Sequence, residues 1–397
     1  MSTFVNHLRT FTDDRTGREV RQLTDFPRGA YTGYFRMDKH LPDGRILTLA
    51  RHDHGNTILI DPDSGDIELV HHAHGVLRLR ESDGRLWYLT NRFGDSGPNP
   101  KAVLIPGAAQ LGHVDLPNGD HVIDADLPDD LPGIVADITI DGRYLILNDR
   151  DDHAPGYAVP DGPDPVAMAH FYSRPRSGAM YAYDVTTGNC QGIVRTQDIA
   201  MFHQDASPAD PGLVRYAVDM PETEGQRVWS VRVDGSDRRP IRPQLPGEVV
   251  THEFWWSDPN YIGYTYQDRR EDPTLDQCFW AEYAQAHTRL GIADLTGKEV
   301  YLSDPLNSYH THLYRSPDGR FVSGEGTDGN FFVYAAAFDI NSTRLDMIPL
   351  AAIHTPYIPF RGQFVDCCFS ADSRWLIYSD QLHAKPPQQI FAVATDL

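Results

Sequence analysis

Apolar residues along this chain come in short alternating or continuous runs, and most of the runs begin directly after the same polar turn. The pattern is clearest in LPDGRILTLA from Leu41, ESDGRLWYLT from Glu81 and TIDGRYLILN from Thr139, then in SPDGRFVSGEG from Ser316 and SADSRWLIYSD from Ser370. Weaker copies are SPADPGLVRYAVD from Ser207 and WSDPNYIGYTY from Trp256, which brings the total to seven. Asp-Gly after Pro or Ser is turn chemistry, and the apolar run after it has the period of a strand. A second element follows most copies: a strand ending in Asp, then a tight turn, as in ILIDPDSGDIELV from Ile58, MYAYDVTTGNCQGIV from Met180 and LGIADLTGKEVYL from Leu290. These read as hairpins. Long helical periodicity is missing.

Seven turn-strand-hairpin units predict an all-β fold, a seven-bladed β-propeller. The last strand, QQIFAVATDL, is only the third of its blade, and GREVRQLTDF near the N-terminus has the look of an outer strand. Pairing the two would close the ring and remove an open sheet edge. Residues 1–397 are then expected to form one domain.

Composition narrows the partners. The formal net charge is -21, which argues against nucleic acid, since that partner needs a basic face. No apolar run approaches the roughly 18 residues of a membrane span, and the first residues lack a signal-peptide core. A cytoplasmic location is expected, without membrane association. The four cysteines, Cys190, Cys278, Cys367 and Cys368, show no C-x-x-C spacing, so a disulfide framework is not expected. Cations are carried mainly by arginine; composition bias explains much of that, yet arginine forks in a cleft would suit an acidic ligand.

In a propeller, residues just upstream of each turn-strand signature face the axis. That filter selects Tyr34, Arg36 and Lys39; His203 and Gln204; His252 and Glu253; His310 and His312; and Arg361, Gln363, Asp366 and Cys368. One histidine there would read as a core residue. Histidines at equivalent positions in three consecutive blades converge on one point, where imidazole, carboxylate and amide oxygen suit a divalent metal. Neutral imidazole also suits a general base. Arg227 lies on the next strand out and can reach the same bowl. If its strand is regular, Glu253 faces away from His252. The His-rich stretches RHDHGN and HHAHG carry less weight, with His52 or His54 possible at the rim. A G-x-S-x-G elbow, a P-loop, a dinucleotide fingerprint and a C-x-x-C-H haem site are all absent from the sequence.

THEFW from Thr251, with VWSVRVDGS before it, HTHLYRSPDG after it and YSRPRSGAMYAYDVTTG upstream, resembles the oligogalacturonate lyases, a seven-bladed propeller family of polysaccharide lyases. The resemblance runs from about Arg18 to the end and is strongest between His170 and Gly319. It implies β-elimination on a uronate, with His252 as Brønsted base and Arg227, 25 residues earlier, engaging the substrate. His203, Arg36 and Arg361 are expected to contact the sugar. His312 maps to a metal ligand, and the family metal is manganese. In the last blade the family has a Gln followed by two metal-binding histidines; this chain has Gln363, then Asp366 and Cys368 at those spacings. Anchored on CFSAD instead, the two histidines fall on Phe364 and Asp366. A site of His312, Gln363 and Asp366 would be harder than the family's and would suit Mn²⁺, Ca²⁺ or Mg²⁺. A chain without metal, a lyase for another acidic oligosaccharide such as a glucuronate-containing one, and a propeller that only binds a partner all stay open at this point. The oligomeric state is not legible.

Overall fold

The computed structural model describes residues 4–52, 55–70, 75–90, 109–150, 177–197, 200–219, 225–268, 270, 288–307, 310, 312–326, 332–354, 365–381 and 387–397. Their regular structure is β throughout, in seven antiparallel sheets of four or five strands. No helix among the described residues is long and apolar enough to cross a membrane.

The predicted turns join the first two strands of each blade. Their physical basis is shared: an aspartate side chain caps the turn by accepting the backbone N–H two residues on, as in Asp43–Arg45, Asp141–Arg143, Asp318–Arg320 and Asp372–Arg374. In three copies a preceding hydroxyl donates to that aspartate, from Thr139, Ser316 and Ser370. In the copies that read Asp-Gly-Arg or Asp-Ser-Arg the turn takes a positive φ, at Gly319 70° and, where serine stands in place of that glycine, at Ser373 62°.

The first strands of the blades are Ala30–Tyr31, Gly75–Arg80, Ile134–Ile138, Ala200–Ala206, Glu248–Trp255, Tyr314–Arg315 and Cys368–Phe369. Each ends its sheet, and side chains from different ones meet, so these strands line the axis. The seventh sheet joins the chain's two ends: Glu19–Gln22 pairs antiparallel with Gln389–Ala394. The N-terminus supplies more than the one strand expected. Arg9–Thr12 extends the seventh sheet, and Phe4–Asn6 pairs with Asp66–Val70 to extend the first.

Apolar side chains pack between neighbouring blades. One cluster matters for the site: Phe35, from the loop after the first strand, packs with Phe254, Trp256 and Tyr314. Phe35 is fully buried, a burial that stabilises by about 1.5–3 kcal/mol. Its other side is stacked on His312, with centroids 4.4 Å apart.

Candidate functional site

The axial strands of blades four and five are interrupted by the same bulge. Between Phe202 and Asp205 the register slips, so that His203 and Gln204 together oppose Tyr216. Between Thr251 and Phe254 it slips again, and His252 and Glu253 together oppose Tyr264. The first residue of each bulge is left-handed, His203 at φ 54° and His252 at φ 49°. Asp366, beside the axial strand of blade seven, has φ 46°. These conformations are unfavourable for residues other than glycine and persist only where the surroundings enforce them. The bulges therefore explain how histidines enter a buried strand: each re-aims its side chain toward the axis.

The bulge also corrects the expectation for Glu253. The strand is not regular there, and Glu253 does not turn away. Its fully buried carboxylate accepts a hydrogen bond from His203 Nδ1 at 2.9 Å, pairs with Arg215 Nη1 at 2.9 Å, and has Arg227 Nε at 3.8 Å. Burial opposes its ionisation, but His203, Arg215 and Arg227 outweigh that and hold the carboxyl well below the usual range.

His252 is half-buried, with Nδ1 2.9 Å from Thr251 Oγ1 and its ring edge-on to His312 at 4.9 Å. Burial, then the charges of His312 and Arg227, push its pKa well below the ordinary histidine value. Burial takes His203 down to about 4 against the pull of Glu253. Tyr34 stands between His203 and His312, with ring centroids 6.0 and 5.4 Å away. Arg36 lies over the Tyr34 ring and reaches the His203 carbonyl and Asp205. Arg227 is buried, its backbone N–H bonded to Gln244.

His312 is buried against Glu325, which pairs with its Nδ1, and Asp366 Oδ1 lies 3.6 Å from the same nitrogen. Burial works against protonation of His312, yet Glu325 and Asp366 raise its pKa. Asp366 is raised as well, chiefly by burial. Its backbone N–H donates to Glu325 Oε2, and its Oδ1 accepts from the Phe35 N–H. Two donors on one metal lie a few ångströms apart, so the His312–Asp366 spacing fits two members of such a set. Glu325 was not foreseen as their partner. No group of three His, Cys, Asp or Glu side chains among the described residues forms a metal-holding cluster.

Other candidates separate from the site. Gln363 and Arg361, with most of the RHDHGN and HHAHG stretches, lie outside the described residues. His310 is fully buried and edge-on to Tyr334 of its own blade; a Cβ on Gly324 would come within 2.6 Å of its Nδ1. Cys368 is not an axial ligand: its side chain packs in an apolar cluster with Leu23, Ile58 and Ile377. Lys39 is buried, with Nζ 3.4 Å from the Gly33 carbonyl.

Beneath the histidines lies an ion network that the sequence reading missed. Arg78 binds Asp38, Asp137 and Asp205 across four blades, and fully buried Arg215 bridges Asp205 to Glu253. Four arginines (36, 78, 215 and 227) thus face four carboxylates (38, 137, 205 and 253). A sequence signal existed: Arg215 in GLVRYAVD and Arg78 in GVLRLR each interrupt an apolar run.

No family model matches the chain. An oligogalacturonide lyase from Pectobacterium atrosepticum is 23% identical over 330 residues, which is 80% of this chain and 75% of that protein. An oligogalacturonate lyase from Dickeya dadantii is 25% identical over 263 residues, 64% of this chain and 62% of that one. Among solved structures, an oligogalacturonate lyase in complex with manganese superposes with a TM-score of 0.71 at 19% identity, covering 99% of this chain and 97% of its own. One from Vibrio parahaemolyticus gives 0.72 at 18%, covering 99% and 98%. By sequence and by fold, this seven-bladed β-propeller is similar to oligogalacturonate lyases.

Proposed function

We propose that the chain, acting as one propeller domain over residues 1–397, is a lyase that cleaves uronate-containing oligosaccharides of the oligogalacturonide kind by β-elimination. The observation that carries this reading is His252: a histidine kept neutral by burial, aimed at the axis by a left-handed bulge residue, among Arg227, His203 and His312. The relatives named above support the substrate class.

The proton to be removed sits on C5 of the uronate, α to the carboxylate. Its acidity depends on neutralising that carboxylate and on stabilising the negative charge that develops there. Arg227 supplies a buried cation for the carboxylate, with Arg36 at the neighbouring wall. When Nδ1–H of His252 donates to Thr251 Oγ1, Nε2 carries the lone pair and takes the C5 proton. The electrons of the C5–H bond form the C4–C5 double bond, the C4–O4 bond breaks, and the departing oxygen takes a proton from solvent. The products are a 4,5-unsaturated uronate and a shortened sugar chain.

His312 and Asp366, with Gln363, would hold a divalent cation. Manganese is favoured by the resemblance, and the carboxylate also suits Ca²⁺ or Mg²⁺. Bound there, it would supply Lewis-acid polarisation of the uronate carboxylate.

The test is ultraviolet absorbance of the conjugated product on a panel of uronate oligosaccharides, glucuronate-containing ones included, with and without Mn²⁺, beside His252→Ala. A rise that the variant lacks is expected. A rise confined to the glucuronate members moves the substrate; no rise on any member removes the chemistry and leaves a binding propeller.

A further inference from the structure

Glu253 follows the proposed base in the same bulge and has no part in the elimination described above. Its simplest role would be to neutralise buried Arg215. That role needs one contact, and Glu253 makes three. The oxygen that pairs with Arg215 also receives His203 Nδ1, each at 2.9 Å, and the other oxygen makes no hydrogen bond among the described residues but faces Arg227 Nε at 3.8 Å. The carboxylate is also immobilised from behind. Arg215 is tied to Asp205, and Asp205 to Arg78 and Arg36. A fully buried group held this way has one orientation.

An ionised carboxylate only accepts hydrogen bonds. His203 must then donate from Nδ1, and a neutral imidazole with a proton on Nδ1 has a bare Nε2. Because the His203 side chain is 25% exposed, Nε2 is the ring nitrogen left for a ligand. We propose that Glu253 is the positioning residue of this site: it locks His203 as an acceptor for a sugar hydroxyl and holds Arg227 for the sugar's carboxylate. The sugar in this statement rests on the lyase reading; the locked tautomer does not. A site built to bond a hydroxyl rejects analogues that lack it far more strongly than a shape-only pocket does. Glu253 would thus tie hydroxyl recognition and carboxylate recognition to one rigid group.

The test has two arms. In the first, long-range proton–nitrogen NMR on histidine-labelled protein reads the His203 tautomer, assigned by loss of its signals in His203→Asn. A proton on Nδ1 is expected without any substrate present. A proton on Nε2 overturns the proposal, whatever the protein turns over. In the second, Glu253→Gln and Glu253→Asp are assayed on the uronate that the wild type cleaves best. The Gln variant places an amide N–H toward Arg227, so KM should rise about tenfold or more with a smaller fall in kcat, and Asp should restore part of the loss. A fall in kcat at unchanged KM, or no change, overturns it. If the Gln variant does not fold, the wild-type tautomer decides alone. If no uronate is cleaved, the lyase reading fails, and the tautomer arm still rules on Glu253.

Discussion

The rings of His252 and His312 meet edge to face, 4.9 Å apart at 89°. The contact places the proposed base against an imidazole whose own pKa is raised by Glu325 and Asp366, so positive charge at His312 disfavours a second proton on His252. Burial acts in the same direction and is the larger cause.

The sign of the pH dependence follows. A base works only when neutral, and His252 stays neutral to well below the ordinary histidine value of 6.5. The part of the rate that depends on His252 should therefore fall only on the acid side, below where an unperturbed histidine would titrate. A profile of kcat/KM against pH checks this. His252→Ala should lose about 10²–10⁴-fold in kcat with its fold intact by circular dichroism.

Arg227 is buried, approaches a carboxylate at 3.8 Å, and is proposed to take a second one from the substrate. A lysine there keeps the charge but not the planar fork, so Arg227→Lys should raise KM and lower kcat together. Arg227→Ala should cost about 10–100-fold more than wild type in kcat/KM, the worth of a charge-assisted hydrogen bond. Steady-state kinetics on one uronate oligomer separates the two parameters. A lysine variant equal to wild type removes Arg227 from the carboxylate.

The propeller was legible because its signals are local. Each turn is capped within a few residues, as Asp318 caps Arg320, so Ser-Pro-Asp-Gly-Arg announces itself wherever it occurs. His203, His252, His312 and Asp366 were legible for a related reason: their place just upstream of each turn fixes them at the axis. What stayed hidden depended on irregular backbone or on distant partners. Glu253 was expected to face away from His252, because the bulge that swings it toward His203 leaves no mark in the period-two pattern. Glu325 closes on His312 from the end of a strand of another segment, buried along nearly its whole length, where nothing local marks the partner. Cys368 sat at a ligand's spacing yet packs in the apolar core, since the left-handed backbone at Asp366, φ 46°, breaks the period-two pattern that would put the two side chains on one face.

Glu81 is a staple between blades. Its Oε1 accepts the backbone N–H groups of Lys39 and His40, both at 3.0 Å, and meets His40 Nδ1 at 2.7 Å; His40 Nε2 then lies 2.8 Å from the Phe369 carbonyl. Burial opposes its ionisation, but His40 and Arg315 prevail and bring the carboxyl from 4.5 down to about 2. A depressed carboxyl stabilises the fold fully above its unfolded pKa, and the contribution is lost as pH falls through the folded one. Glu81→Gln should cost about 2 kcal/mol at neutral pH, and the gap to wild type should close as pH drops from 4.5 toward 2. Denaturant unfolding across that range reads both. A gap that does not change with pH would show that the charge of Glu81 contributes nothing.

The ligand assignment in the last blade is tested most directly by binding, apart from turnover. His312 and Asp366 lie 3.6 Å apart at the axis, while Cys368 is enclosed by Leu23, Ile58 and Ile377. Titration of Mn²⁺ into the protein, read by the loss of its free paramagnetic signal, should show one site that His312→Ala abolishes. Asp366→Asn should weaken it by at least tenfold, because the charged oxygen donor is lost while the shape stays. Cys368→Ser should leave the affinity unchanged, whatever it does to stability, because its side chain points into the core. Calcium should compete for a site that includes Asp366, whose carboxylate is a hard donor. Should Cys368→Ser weaken manganese binding while Asp366→Asn does not, the ligand assignment in the last blade is reversed, and the Asp366 carboxylate serves only to accept the Phe35 N–H.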